Sequence, residues 1–315
     1  MKSVLILLST YNGKRFLKKQ LDSIYAQEGV NFHILARDDG SKDSTIAILN
    51  EYKTRCGNMT ILAEDNVGPA CSFYNLINHA YQKMEKYDYY AFSDQDDIWY
   101  DNKLSIAVTE LDKNINNIKF YYSNFDIIDS NGVRFSKGTI SSNNSYKTIL
   151  FRNPCIGCSQ VFSYGLLEKA VFVISYLKRE KEVMYRKMLH DSLMARLAFF
   201  LDAYVVGDNE TRFGYRQHNH NVTHYTGKTK IRKFIDNFKY YTKDYPSPFS
   251  QEAAIINAVL SDTISDEKAA YLNQVANYKS SVAKTVRFAF TYSALFKGQL
   301  YISIYVFILI IFRRF

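Results

Sequence analysis

Glycine and proline are scarce, 13 and 4 in 315 residues, which excludes collagen-like, linker-rich and wholly disordered chains. Cysteine is scarce too. Cys56, Cys71, Cys155 and Cys158 cannot staple a chain this long, so the pattern points to a reducing compartment and a self-sufficient core. Cys155-Ile-Gly-Cys158 has no second Cys pair to complete a zinc site and lacks the strand–CxxC–helix setting of a redox motif. Long apolar runs are missing. Leu300–Phe312 offers thirteen uncharged residues before Arg313-Arg314, short of the ~20 that an upright span needs. Extending it upstream to Phe288 reaches spanning length only by including Lys297 and Gln299. An interfacial or re-entrant anchor is expected in preference to a spanning helix. Val4–Leu8 is apolar for only five residues, and no small-residue cleavage site precedes Lys14–Lys19. A buried first strand is therefore expected there, not a leader.

What is present is a core and a surplus of positive charge. Hydrophobic residues make up 47% and charged residues 23%, and 40 Lys+Arg against 31 Asp+Glu leave +9. Such a balance suits phosphates, nucleic acid or an anionic membrane. The aromatics, 16% of the chain, fall on apolar helix faces and in the tail, so nucleic acid is not expected as a partner. The first hundred residues alternate strand and helix patterns. Val4–Leu8, Phe32–Ala36, Met59–Ala63 and Tyr89–Ser93 read as strands, and Ala70–Met84 is the cleanest amphipathic helix. The expected fold is α/β with a mostly parallel central sheet. From about residue 118 the pattern is mixed, with strand-like Phe120–Asn124, Ser159–Ser163 and Arg212–Gln217 around a helix at His190–Leu201. Gly227–Lys243 carries six basic residues against one acid, so residues 226–315 are expected to form a basic, helical region separate from 1–225.

Ligands of such sheets bind beyond the carboxyl ends of the strands. Three polar segments fall there: Ser9–Gly13, Asp38–Ser41 and Asp94–Asp97. Ser93-Asp94-Gln95-Asp96-Asp97-Ile98-Trp99 places three carboxylates within four positions, which repel unless a cation shares them. Oxygen ligands suit Mg²⁺ or Mn²⁺ bridging a diphosphate, whereas a calcium loop is excluded by Ile98 and Trp99 at the fifth and sixth positions. An acidic turn capping the helix Asn102–Leu111 is the plain alternative. A carboxylate of Asp38-Asp39 can accept the imide N3–H of uracil or thymine; the alternative is a turn that caps the next helix. Thr10-Tyr11-Asn12-Gly13 offers an aromatic face for a base and backbone N–H groups at a helix start.

Taken in order, STYNG (Ser9–Gly13), QLDSI (Gln20–Ile24), RDDGSKD (Arg37–Asp43), NVG (Asn66–Gly68) and SDQDDIW (Ser93–Trp99) resemble the family 2 glycosyltransferases of the GT-A fold. NPCIGCS (Asn153–Ser159), HDSL (His190–Leu193) and YRQHNHN (Tyr215–Asn221) extend the resemblance, especially to bacterial rhamnosyltransferase-like members, over residues 2–225. It implies that Thr10, Tyr11, Asn12, Asp38, Asp39, Asp94 and Arg216 hold the nucleotide. Asp96, Asp94 and His218 would hold Mn²⁺ or Mg²⁺, and Asp191 would be the catalytic base. Asp97, Trp99, Gly157, Cys158 and His190 would line the sugar and acceptor pocket. Residue chemistry agrees: a metal and a cation such as Arg216 stabilise a departing diphosphate, and a carboxylate takes the acceptor's proton. Without the resemblance, Asp191 reads equally as a helix cap, and the histidines of Tyr215–His224 lack the partners of a zinc site.

The expected activity is inverting transfer from a UDP- or dTDP-sugar to a lipid-linked glycan, in surface polysaccharide synthesis. The expected place is the cytoplasmic face of the plasma membrane, reached through a membrane-associating C-terminal tail. A nucleotidyltransferase would carry a Gly-rich, Arg-containing loop where this chain has STYNGKRF. A silent membrane adaptor would have lost Asp39, Asp94, Asp96 and Asp191, all of which are present.

Overall fold

The computed structural model describes residues 1–140, 144–151, 153, 155–218, 248–296 and 300–312. The basic run 227–243 and the histidines at 220 and 224 lie outside the described residues. The chain forms two compact units, Met1–Asn143 with Asn153–His224, and Asn144–Arg152 with Tyr225–Phe315.

The first unit begins with alternating β1 (Ser3–Thr10), α1 (Leu17–Tyr25), β2 (Asn31–Asp39), α2 (Thr45–Cys56), β3 (Met59–Glu64), α3 (Pro69–Lys83) and β4 (Tyr89–Ser93). Val4 to Leu8 are wholly buried, as expected of a strand covered on both faces. β1 pairs in parallel with β2 and β4, and β2 with β3, so Thr10, Asp38–Asp39 and Ser93 all end on one rim. There follow β5 (Ile98–Trp99), α4 (Lys103–Asp112), β6 (Lys119–Ile128) and β7 (Arg134–Gly138). After α5 (Tyr146–Ile149), which belongs to the second unit, come a 3₁₀ turn at Gly157–Ser159 and β8 (Val161–Ser163). α6 (Tyr164–Glu180), α7 (Glu182–Lys187), α8 (His190–Phe200) and β9 (Tyr204–Arg216) complete the unit.

The nine strands found among the described residues make one sheet, β3-β2-β1-β4-β8-β6-β9-β5, with β7 on β6. The sheet is mixed rather than mostly parallel. β8 runs antiparallel to both β4 and β6, β7 antiparallel to β6 and β5 antiparallel to β9. Antiparallel neighbours need no covering crossover helix, so the helical rhythm that marks the first half stops at β4. The pairing of β5 with β9 matters most: Ile98 lies against Gly214, and the end of β9 returns beside the acidic motif.

In the second unit, α5 joins α9 (Pro248–Leu260), α10 (Asp266–Asn277), α11 (Val282–Ser293) and α12 (Leu300–Ile311). Tyr271 donates its hydroxyl to the Lys147 carbonyl (2.7 Å), and Tyr146 donates to Glu267 (2.5 Å). The short segment Asn144–Arg152 thus packs with the C-terminal region, a pairing that sequence patterning did not anticipate. Among the described residues, no helix is long and apolar enough to cross a membrane.

Candidate active site

The rim of the sheet is tied together by backbone-to-side-chain bonds. Thr10 Oγ1 donates to Asp38 (3.0 Å), and the amide and hydroxyl of Ser41 donate to the same carboxylate (2.8 and 2.5 Å). Asp38 is therefore committed to the turn after β2, where Gly40 adopts φ +77°. Asp39, also buried, accepts from the Arg37 guanidinium and from the amides of Val67 (2.9 Å) and Gly68 (3.0 Å). Arg37 continues to Glu64, Ser72 and the Asp65 carbonyl. A cleft of about 490 Å³ opens here, lined by Asp38, Gly40, Ser41, Ile46, Ala63, Glu64 and Asp65. Breaking one side of a buried ion pair strands the other charge, so Arg37→Met is expected to destabilise the fold by about 3 kcal/mol. Urea denaturation of the variant measures this.

The loop after β1 is held on two sides. Asn12, in a left-handed conformation that asparagine tolerates, donates its amide N–H to Ser41 Oγ and accepts from the Lys42 amide at Oδ1 (both 2.8 Å). Gln95, the middle residue of the acidic motif, accepts from the Tyr11 amide (2.8 Å) and donates to the Tyr11 carbonyl (2.9 Å). A Cβ on Gly13 would collide with that Gln95 amide. The exposed Tyr11 ring is thereby placed beside the acidic motif.

Asp94, Asp96 and Asp97 leave the end of β4 in different directions. Asp97 is fully buried; Oδ1 accepts the Arg216 amide (3.1 Å), and the Cys158 thiol faces the same carboxylate. Asp94, Asp97 and Cys158 bring one ligand atom each within 4.8 Å of one another. Loss of solvent, then repulsion from Asp96 and Asp191, pushes the Asp94 carboxyl up to about 7. Burial, with repulsion from Asp96 and Asp94, drives Asp97 well above the carboxylate range. Asp96 faces His218, whose Nε2 lies 2.7 Å from its Oδ2. The His218 ring stacks on Phe16 at 5.0 Å, and the Arg216 guanidinium covers the same ring at 4.8 Å. Carboxylate oxygens and one imidazole form a donor set that Mn²⁺ or Mg²⁺ accepts. The mutual repulsion of Asp94, Asp96 and Asp97 is what a divalent cation would relieve. Among the described residues, however, the ligand atoms that converge are those of Asp94, Asp97 and Cys158; of the expected metal ligands Asp94 belongs to that cluster, while Asp96 and His218 pair with each other beside it.

Asp191 stands in the first turn of α8. Its carboxylate accepts the Ser192 amide (2.6 Å) and the Gly157 amide, yet burial outweighs these bonds and nearby Arg196 and pushes it up to about 6. Gln160 holds the turn by donating to the carbonyls of Asp191 (3.0 Å) and Cys155 (2.7 Å). His190 stacks on Phe73 at 3.7 Å and meets the edge of Phe92 at 4.6 Å, and burial lowers it to about 3, so it is neutral. A Cβ on Gly157 would sit 2.7 Å from His190 Nε2, which explains the small residue.

The family model described as "Glycosyl transferase family 2" matches residues 5–171. This chain belongs to glycosyl transferase family 2. It is 31% identical over 218 residues to dTDP-rhamnosyl transferase RfbG of Shigella flexneri, covering 68% of this chain and 72% of that one. It is 27% identical to the UDP-Glc:alpha-D-GlcNAc-diphosphoundecaprenol beta-1,3-glucosyltransferase WfgD of Escherichia coli, over 60% of this chain and 70% of the other. The crystal structure of S. aureus TarS 1-349 with UDP-GlcNAc superposes with TM-score 0.58 at 16% identity, covering 99% of this chain and 82% of that one. Mannosyltransferase PcManGT from Pyrobaculum calidifontis, in complex with GDP-Man and Mn²⁺, gives 0.50 at 16%, covering 96% and 84%. These two likenesses establish the fold. Family 2 membership removes the sugar-nucleotide-forming alternative, and the four acids in place leave nothing to recommend a silent adaptor.

Several residues expected to contact ligand sit elsewhere in the structure. Arg216 does not open onto the rim: it is fully buried and donates to the carbonyls of Asp96 (2.6 Å), Asp129 (2.9 Å) and Ser130 (3.0 Å). It is a clamp on the acidic motif, because pairing of β9 with β5 and β6 turns it inward. Trp99 is also core. Its amide donates to Ser23 (3.0 Å), and Lys103 Nζ lies 3.7 Å from the ring centroid. Asp97, Gly157, Cys158 and His190 are buried as well. They floor the site and support it, with Asp94, Asp96 and Asp191 partly open above them. Sequence reasoning missed Gln95, Phe16, Gln160 and Gln20. The Gln20 amide donates to the Asp97 carbonyl (2.5 Å) and accepts from Ser93 Oγ (2.8 Å) and Trp99 Nε1 (3.3 Å). Only its place in QLDSI signalled it.

Proposed function

We propose that this glycosyltransferase moves a sugar from a UDP- or dTDP-sugar to a hydroxyl of a lipid-linked glycan, with inversion, during surface polysaccharide synthesis. The observation that carries the reading is that the turn Gly157–Ser159 brings two acidic groups from distant parts of the chain together: a Cβ on Gly157 would lie 3.5 Å from Asp191 Cβ of α8, and Cys158 next to it has its ligand atom within 4.8 Å of that of Asp94 at the end of β4. One group suits a leaving diphosphate and the other an incoming hydroxyl. Asp94, Asp96 and His218 would hold Mn²⁺ or Mg²⁺, which when bound supplies Lewis-acid stabilisation of the diphosphate's charge. The Tyr11 ring, with Thr10 and Asn12 behind it, offers the base a face. Asp38 and Asp39 shape the nucleoside cleft by fixing its two turns.

Asp191 takes the proton of the acceptor hydroxyl. The oxygen then attacks the anomeric carbon from the face opposite the diphosphate, so one displacement inverts the centre. The relatives named for dTDP-rhamnose and for a diphosphoundecaprenol acceptor support the donor and acceptor classes. An acceptor of that kind puts the work at the cytoplasmic face of the plasma membrane, with the C-terminal region holding the enzyme there. The test is incubation of purified enzyme with labelled UDP- and dTDP-sugars and diphosphoundecaprenol-linked acceptors, reading the anomer by NMR. Product of retained configuration, or none with any donor, contradicts the reading.

The pH dependence follows from the same carboxyl. A base must be unprotonated to act. Asp191 is raised to about 6, so the transfer rate is expected to fall as pH drops through 6, approaching about tenfold per unit below it. A pH–rate profile at saturating donor checks this.

A further inference from the structure

The surface of the second unit carries an arrangement that the catalytic reading does not use. On α11, Val282, Val286 and Phe290 recur every four residues and are 70%, 39% and 65% exposed. Thr285, Phe288, Ala289 and Tyr292 bury the adjoining face. Ser281 caps the helix start by accepting the Lys284 amide (3.1 Å). α12 packs on α11: the Phe290 and Phe307 rings meet edge-on at 5.2 Å, and Ser303 donates its hydroxyl to the Ser293 carbonyl. Ile304, Ile311 and Phe312 of this second helix and its end are exposed too. The apolar tail is thus one arm of a helix pair.

Charge selects the occupant of this face. Residues 268–315 hold seven Lys and Arg and no Asp or Glu. Lys284 and Arg287 are exposed on α11 itself, and Arg287 lies beside the apolar stripe at helical spacing. A second copy of the chain would set like charge against like charge. A bilayer rich in anionic lipid matches both features, since an apolar stripe enters the headgroup boundary while flanking cations meet lipid phosphates. Twelve residues of α12 rise about 18 Å, well short of the ~30 Å hydrocarbon core.

We propose that the exposed face of the α11–α12 pair is a docking surface for anionic membrane, with the helices lying in the interface. This deepens the reading of a membrane-carried acceptor by naming the surface that meets the membrane. The test is co-sedimentation of the full chain with vesicles of phosphatidylglycerol and phosphatidylethanolamine, against vesicles of phosphatidylcholine alone. Wild type is expected on the anionic vesicles and to be released by salt. The double variant Val286→Asp/Phe290→Asp is expected to lose binding by about tenfold or more, and Arg287→Glu to weaken it by about tenfold. Both should keep manganese-dependent sugar-nucleotide binding, a readout independent of vesicles. Undiminished sedimentation of both variants overturns the proposal. So does a wild-type dimer that Val286→Asp/Phe290→Asp dissolves, or binding to single-stranded RNA in place of vesicles. If sugar-nucleotide binding is absent in every protein while vesicle binding stands, the catalytic reading fails and the docking surface survives.

Discussion

Asp191→Asn is expected to lower kcat by about 10²–10⁴-fold while leaving donor KM within a few-fold, because it removes the proton acceptor and little else. Asparagine has the size of aspartate and can still accept the Ser192 and Gly157 amides through its carbonyl. The Gln160 bonds to the Asp191 and Cys155 carbonyls do not involve the side chain at all. Thermal unfolding should therefore move little. The acid limb of the pH profile should vanish with the base. Steady-state kinetics across pH separate this outcome from a merely structural role, which would change Tm and leave the limb in place.

Asp96→Asn is expected to weaken Mn²⁺ binding by roughly 100-fold or more and to carry donor binding down with it. The substitution removes one ligand charge and disrupts the partner of His218, which lies 2.7 Å away. Its main chain stays fixed, since the Asp96 carbonyl remains under Arg216 Nε (2.6 Å). Loss of function with an intact fold is the expected signature. Electron paramagnetic resonance of free Mn²⁺ measures the affinity without any substrate.

The two variants probe the parts of the molecule that were easiest to read. β1, β2 and β4 were legible because strands covered on both faces form short apolar runs, and their carboxyl ends then selected the acidic and polar segments. The second half was harder. β8 has only three residues, too few to show a period. β9 extends back to Tyr204, through the exposed Gly207, Asn209 and Glu210, whereas only its last part reads as a strand. Register shifts against it at Ser123–Asn124 and Asn124–Asp126 break the alternation further. In α6, Leu166, Leu167, Ala170, Val171, Val173, Ile174 and Leu177 are all buried, a breadth that blurs any amphipathic stripe.

Among site residues, type was legible and direction was not. Arg216 and Trp99 have the right chemistry for ligand contact, but sheet pairing turns both into the core. A guanidinium facing three backbone carbonyls looks, in sequence, like one facing a diphosphate. Phe16 and Gln95 carry no charge to draw notice, yet one stacks on His218 and the other joins the two loops of the donor side.

Isothermal titration of wild type and Asp96→Asn with UDP- and dTDP-sugars, in Mn²⁺ and again in EDTA, tests the central arrangement most directly. Saturable donor binding by wild type in Mn²⁺, lost in EDTA and lost in the variant, is the result that Asp94, Asp96 and His218 require. Donor binding of equal strength in EDTA, or an unimpaired Asp96→Asn protein, would show that the acidic end of β4 does not hold the cation that meets the diphosphate.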